Sequence, residues 1–223
     1  MPAGRGTRLE AAVQSPYAGG VPLPARDAAR PTPAELEAAR DRTIADVIAD
    51  DLRVLFCGIN PGLWSAATGH HFARPGNRFW PALHRSGFTD RQYLPREQGQ
   101  LLALGLGITN VAARATARAD ELRAAEFTEG GAVLTRKVLR HRPRWLAVVG
   151  ITAYRAAFAA PRAVVGPQPE PIGNTRVWVL PNPSGLNAHW PAPALAAEFA
   201  RLREAAGPGE GQVGPTARAT SGG

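Results

Sequence analysis

Four short apolar runs, each closed by glycine, proline or asparagine, constrain the fold of this chain more than any other feature. They are Leu52–Gly58, Leu106–Asn110, Trp145–Gly150 and Thr175–Leu180. Each is too short for a buried helix and nearly continuous in its hydrophobicity, the pattern of a strand covered on both faces. Segments of helical character lie between them. One starts at Thr32-Pro33, an N-cap followed by proline at the first helical position, and runs towards Ala49. Others span Asn77 to Gly87, 97–104, Asp120 to Arg140 (its pattern broken at Gly130-Gly131), 152–159 and 192–205. Strands alternating with helices predict an α/β fold: a three-layer αβα sandwich around a central, mostly parallel sheet of four to five strands.

The 223 residues, 44% of them apolar, suit one domain over 33–206. Residues 1–32, basic and rich in Ala, Gly, Pro and Arg, and residues 207–223, rich in Gly, cannot bury enough apolar surface to order themselves. Both are expected to be disordered tails. Twenty-six Lys+Arg against 18 Asp+Glu leave a formal charge of +8, which favours a polyanionic partner such as DNA or RNA. The competing reading is free use of arginine, since Lys137 is the only lysine. A single cysteine, Cys57, excludes an internal disulfide and a Cys-ligated metal cluster, and its place in a strand marks it as a small core residue. Without a signal peptide or a long apolar span, the chain is expected to be a cytoplasmic monomer with no membrane contact.

In this layout the loops 59–76, 110–118 and 181–190 leave the carboxyl ends of strands and converge on one edge of the sheet, where α/β proteins bind ligands. Asn60, Asn110 and Asn182 stand at equivalent strand ends. The first loop also carries His70, His71 and Phe72, but no carboxylate and no thiol. Amides, imidazoles and a ring suit a flat, neutral, hydrogen-bonding ligand, and a nucleobase fits that description. The histidine pair has no third ligand near it, so no metal is expected. Ser184 lacks a paired His and Asp, and the glycine-rich loops match neither the dinucleotide fingerprint nor the P-loop, so no cofactor is expected. Arg74 and Arg78 fit phosphate contacts or ordinary surface charge equally well.

Gly58-Ile59-Asn60-Pro61-Gly62, Gly69-His70-His71-Phe72, Pro75-Gly76-Asn77, Phe79-Trp80 and Asn182-Pro183-Ser184-Gly185-Leu186 resemble, in order and spacing, the mismatch-specific uracil/thymine DNA glycosylases of the uracil-DNA glycosylase superfamily. The resemblance covers about residues 50–205. It implies that Asn60 orients the attacking water at C1′ and that Phe72 stacks on a flipped pyrimidine. The backbone around Ile59 and Phe72 would read the base edge, with His71 and Asn110 within reach of the base or the water. Thr116 would lie near the water and Ser65 beside C5 of the base. Among the residues of the second motif, Asn182 would belong to the DNA-binding loop and Ser184 would hold a phosphate. Gly185, Leu186 and Asn187 would wedge into the duplex. Two departures stand out. Classical uracil-DNA glycosylases have aspartate where Asn60 stands and histidine where Asn182 stands. Bacterial mismatch enzymes often carry an arginine after the wedge, where this chain has Ala188-His189-Trp190.

The function implied is base excision repair by a monofunctional glycosylase acting on double-stranded DNA with G·U or G·T mismatches. Uracil is its substrate, with thymine and other modified pyrimidines a wider range left open. A neutral amide cannot deprotonate water, so Asn60 positions it while N–H donors stabilise the departing base anion, each by about 3 kcal/mol. Flipping costs least at a mismatch, which favours G·U over A·U. The alternative is a catalytically weak protein of the same fold that binds lesions or abasic sites.

Overall fold

The computed structural model describes residues 30–185 and 189–208; the N-terminal tail to residue 29, Leu186 and Asn187 of the expected wedge, and the chain from 209 lie outside the described residues. Five strands form one sheet in the order β2-β1-β3-β5-β4. They are β1 (Val54–Gly58), β2 (Leu106–Asn110), β3 (Trp145–Val149), β4 (Gly166–Pro167) and β5 (Arg176–Leu180). The first three and β5 are parallel; β4, a two-residue edge strand, runs antiparallel to β5.

The alternation of side chains along each strand builds the layers. Val54, Phe56, Ala147, Val149, Trp178 and Leu180 pack to one side. There they meet α3 (Phe79–Arg85), a 3₁₀ segment (Pro95–Leu104) and α6 (Ala192–Ala206) through Phe79, Leu83, Leu101, Leu195, Phe199 and Leu202. Leu55, Cys57, Leu146, Val148, Val177 and Val179 turn the other way, onto Leu134 and Val138 of α4 (Ala124–His141) and Tyr154 of α5 (Ile151–Ala157). The result is the expected three-layer sandwich, at the upper end of the expected strand count.

Three local expectations give way. The first helix, α1 (Pro33–Ala38), begins at its Thr32 capping box but ends well short of Ala49. Asp41 takes a left-handed φ of 63°, and Val47 then bridges to Ile108 on the outer edge of β2 through a reciprocal pair of backbone hydrogen bonds (2.9 and 2.7 Å). An uncovered strand edge outcompetes the helix. The segment 97–104 is a 3₁₀ helix that begins at Pro95. Gly130-Gly131 does not interrupt α4. A Cβ at Gly130 would stand 2.3 Å from the Val111 carbonyl oxygen, and one at Gly131 2.2 Å from that of Ala157, so the pair lets backbone pack on backbone.

Candidate active site

The parallel register sets Gly58 beside Asn110, the last residues of β1 and β2. Beyond that point the two chains stay zipped: the N–H groups of Val111, Ala112 and Thr116 donate to the carbonyls of Gly58, Ile59 and Pro61 at 2.9, 2.9 and 3.2 Å. Asn60 and Thr116 are thereby held side by side. Gly62 then N-caps α2 (Leu63–Thr68), which carries Ser65. These segments, the loop 71–77 and residues 182–184 enclose a cleft of about 390 Å³ at the carboxyl edge of the sheet. Ile59, Asn60, Ser65, His71, Phe72, Asn110, Thr116, Asn182 and Ser184 all line it.

The orientation of the Asn60 amide follows from its partners. Its Nδ2 donates to the Arg114 carbonyl at 2.9 Å and to Thr116 Oγ1 at 2.7 Å. The Thr116 hydroxyl spends its own proton on the Arg118 carbonyl at 2.7 Å, so towards Asn60 it can only accept. Both amide protons are therefore consumed inside the protein. The acceptor Oδ1 is the atom left to meet a ligand or water in the cleft.

His71 is buried, 1% exposed, and both its ring nitrogens are engaged. Nε2 lies 3.0 Å from the Ala45 carbonyl, which accepts only, so Nε2 carries the proton. Nδ1 then accepts from Asn110 Nδ2, 3.4 Å away. Burial pushes the imidazole below its ordinary range, in keeping with this neutral tautomer. The His71 N–H donates to Gln98 Oε1 at 2.7 Å, and its carbonyl accepts from Trp80 Nε1 at 3.2 Å. Contact of the imidazole with a base or water, expected from the sequence, thus meets a ring already occupied on both sides.

Phe72 takes a left-handed backbone conformation (φ 52°), which costs a non-glycine residue about 1 kcal/mol. This turn lays the ring on Phe79, centroids 4.0 Å apart and planes within 16°. Gly58, buried at the end of β1, lies against this ring and against Asn110. A Cβ there would approach Asn110 Oδ1 to 2.5 Å and the Phe72 ring to 3.2 Å, so any other residue would push these side chains from their places.

Ser65 is buried, and its Oγ accepts from the Ala73 N–H at 3.3 Å. Asn182 Oδ1 accepts from the Ser184 N–H at 2.9 Å, closing an Asx turn that shapes the second motif. Gly185 is not among the lining residues; it packs against the loop 71–77, where a Cβ would meet the Gly76 carbonyl at 2.7 Å. Arg78, one of the two candidate phosphate contacts, points inward. Its guanidinium donates to the carbonyls of Ser184 (2.7 Å) and Trp190 (2.6 Å), on either side of residues 186–188, and to that of Pro183 (3.4 Å). Arg74 is exposed at the cleft.

Several participants carry no sequence signal of their own. Arg114 offers its carbonyl to Asn60 while its guanidinium pairs with Asp41 and Glu126. Arg118 and Asp120, an ion pair, stand at the mouth, and Ile44 reaches in from the segment after α1. Such roles arise from contacts between distant segments, which local periodicity does not encode. Cys57 is fully buried with its thiol pushed up by burial, so it is no nucleophile. Among the described residues no group of three His, Cys, Asp or Glu is placed to hold a metal, and no helix is long and apolar enough to cross a membrane.

A cleft at the carboxyl edge of a parallel sheet, walled by amides, a buried imidazole and a stacked aromatic ring, has the hydrogen-bonding and stacking groups that a flat polar ring would need. The sequence profile of the Uracil DNA glycosylase superfamily matches residues 45–205, most of the chain and every lining residue of this cleft but Ile44, and the protein belongs to that superfamily, whose members are DNA glycosylases, hydrolases acting on DNA. Among solved structures, it is similar at 18% identity and a TM-score of 0.49 to a protein from Methanosarcina acetivorans, determined by NMR in solution and assigned provisionally as a uracil DNA glycosylase. The match covers 73% of this chain and 98% of that one.

Proposed function

We propose that the protein is a monofunctional glycosylase of the mismatch-specific branch, removing uracil mispaired with guanine from double-stranded DNA. The observation that carries this reading is the Asn60 carboxamide, whose two protons are committed to Arg114 and Thr116 and whose Oδ1 is left to the cleft. In that orientation it accepts a hydrogen bond from a water and aims a lone pair of that water at C1′ of an extruded nucleotide. It positions the nucleophile without activating it as a base.

The flipped pyrimidine stacks on the face of Phe72 opposite Phe79, and N–H donors around Ile59 and Phe72 take up charge on the leaving ring. In a cleft this small each such donor is worth about 3 kcal/mol in the transition state. Glycosidic cleavage is dissociative, so stabilising the leaving anion matters more than the basicity near the water. Ser65, beside C5, sets whether a methyl group fits. The loop of Asn182, Ser184 and Gly185 grips the phosphate, and Leu186 and Asn187 fill the gap in the duplex. His71 acts through Asn110 rather than on the base, since its ring nitrogens are both in use.

No Schiff base forms, because Lys137 Nζ is bonded to Thr109 and Asp46, not presented in the cleft. A labelled G·U duplex tests the whole reading. Strand scission only after alkali supports it; scission without alkali overturns the monofunctional part. Tight binding with no excision would replace the enzyme by a lesion-binding protein.

A further inference from the structure

Three polar side chains close a triangle on the face of β2 that Thr109 presents. Lys137 Nζ lies 2.5 Å from Asp46 Oδ2 and donates to Thr109 Oγ1 at 2.7 Å. Thr109 Oγ1 in turn donates to Asp46 Oδ1 at 2.6 Å. Thr109 is fully buried, and about three quarters of each charged side chain is covered. Lys137 is the only lysine of the chain.

The corners of this triangle are next in sequence to the two partners of His71. Asp46 follows Ala45, whose carbonyl accepts from His71 Nε2. Thr109 precedes Asn110, whose amide donates to His71 Nδ1. Consecutive residues of a strand face opposite ways, so Thr109 reaches the triangle while Asn110 reaches the cleft. The Val47–Ile108 backbone pair already ties the two segments together. What the backbone pair leaves soft is the tilt of each segment, and with it the gap into which the imidazole fits. A half-buried ion pair is poor evidence for stability, because well-packed apolar groups do as well, but it does specify geometry.

We infer that Lys137, Asp46 and Thr109 are positioning residues that set the Ala45–Asn110 spacing and so the aim of the Asn110 carboxamide into the cleft. The inference rests on the cleft being a base pocket. A displacement near 1 Å at such a site costs rate steeply, whereas duplex binding, spread over many phosphates, is indifferent to it.

Thr109→Val tests it, since the change keeps side-chain volume and leaves the Lys137–Asp46 pair standing. Two quantities are read: the single-turnover rate of uracil excision from a G·U duplex, and the ¹⁵N-labelled imidazole signals of His71. The expected result is excision about tenfold slower with duplex affinity within twofold, a faster-exchanging His71 Nε2–H, and recovery of both in Thr109→Ser. Lys137→Met should show the same pair of changes. Unchanged His71 signals in Thr109→Val overturn the inference, as does a rate within twofold of wild type. The two readings fail separately: a wild-type protein that excises nothing removes the glycosylase proposal, while the His71 signals still decide the positioning.

Discussion

Asn60 and Thr116 face each other at 2.7 Å across a hydrogen bond whose direction is forced by a third residue, the Arg118 carbonyl that takes the threonine proton. The amide is thus oriented by protein partners alone, and in the proposed role of holding a water it would be preorganised in the way from which enzymes gain most.

Removing the amide should separate binding from chemistry. Asn60→Ala is expected to hold a G·U duplex within about threefold of wild type while losing most turnover, on the scale of 10²-fold or more for a lost preorganised group. Single-turnover excision alongside fluorescence anisotropy measures both. Near-wild-type excision in this variant would remove Asn60 from its role.

The threonine should matter through its oxygen. In Thr116→Val one Asn60 proton loses its acceptor, a loss of about 1–3 kcal/mol in a buried setting, and the carboxamide is free to turn over. Excision should slow about tenfold, with Thr116→Ser close to wild type. Equal rates for valine and serine would show that the hydroxyl has no part in holding the amide.

Arg78 makes a clean distinction between charge and bracing. A phosphate contact contributes about 0.9 to the slope of log K against log salt. Because Nε, Nη1 and Nη2 of the guanidinium each donate to one of the Pro183, Trp190 and Ser184 carbonyls, Arg78→Met should leave that slope unchanged while slowing excision through a loosened loop. A slope reduced by about one in salt titrations would return Arg78 to the DNA backbone.

Gly130→Ala sets helix propensity against packing. Alanine gains about 1 kcal/mol in a helix interior, but its Cβ would stand 2.3 Å from the Val111 carbonyl oxygen. Overpacking costs about 1–3 kcal/mol, so the variant should lose stability in urea titration. A gain would mean that α4 moves away from the loop without cost.

Acid should act on His71. Its folded-state value lies below the ordinary 6.5, so the unfolded chain binds the proton first and stability falls as pH drops from about 6.5 towards that lower value. A second ring proton would also confront the Asn110 N–H. Wild type should therefore lose more stability than His71→Gln between pH 7.5 and 5.5, as read from urea midpoints. Equal losses would mean that His71 does not titrate differently on folding.

The four long strands were legible because apolar runs hemmed by glycine and proline leave little choice, and the three strand-end asparagines marked the edge that carries the cleft. Asn60, Asn110 and Asn182 do line one cavity. Residues 40–49 were misread because Ile44, Val47 and Ile48 satisfy helical spacing equally well as a strap along β2. Gly166–Pro167 is too short to show any period. Gly130-Gly131 looked like a break because local propensity knows nothing of the Val111 carbonyl. Arg78, Arg114 and Lys137 were legible only as positive charges, since what each one touches lies up to 112 residues away in the chain.

Gly58 carries one more consequence. With a hydrogen where other residues have a methyl or more, and with Asn110 and Phe72 already crowding that position, the support behind these two side chains is trimmed as far as chemistry allows. If the cleft takes a base as proposed, room for a bulkier ring cannot be gained behind Asn110 and Phe72, and exchange of the buried Ser65 on α2 is where such room would come from.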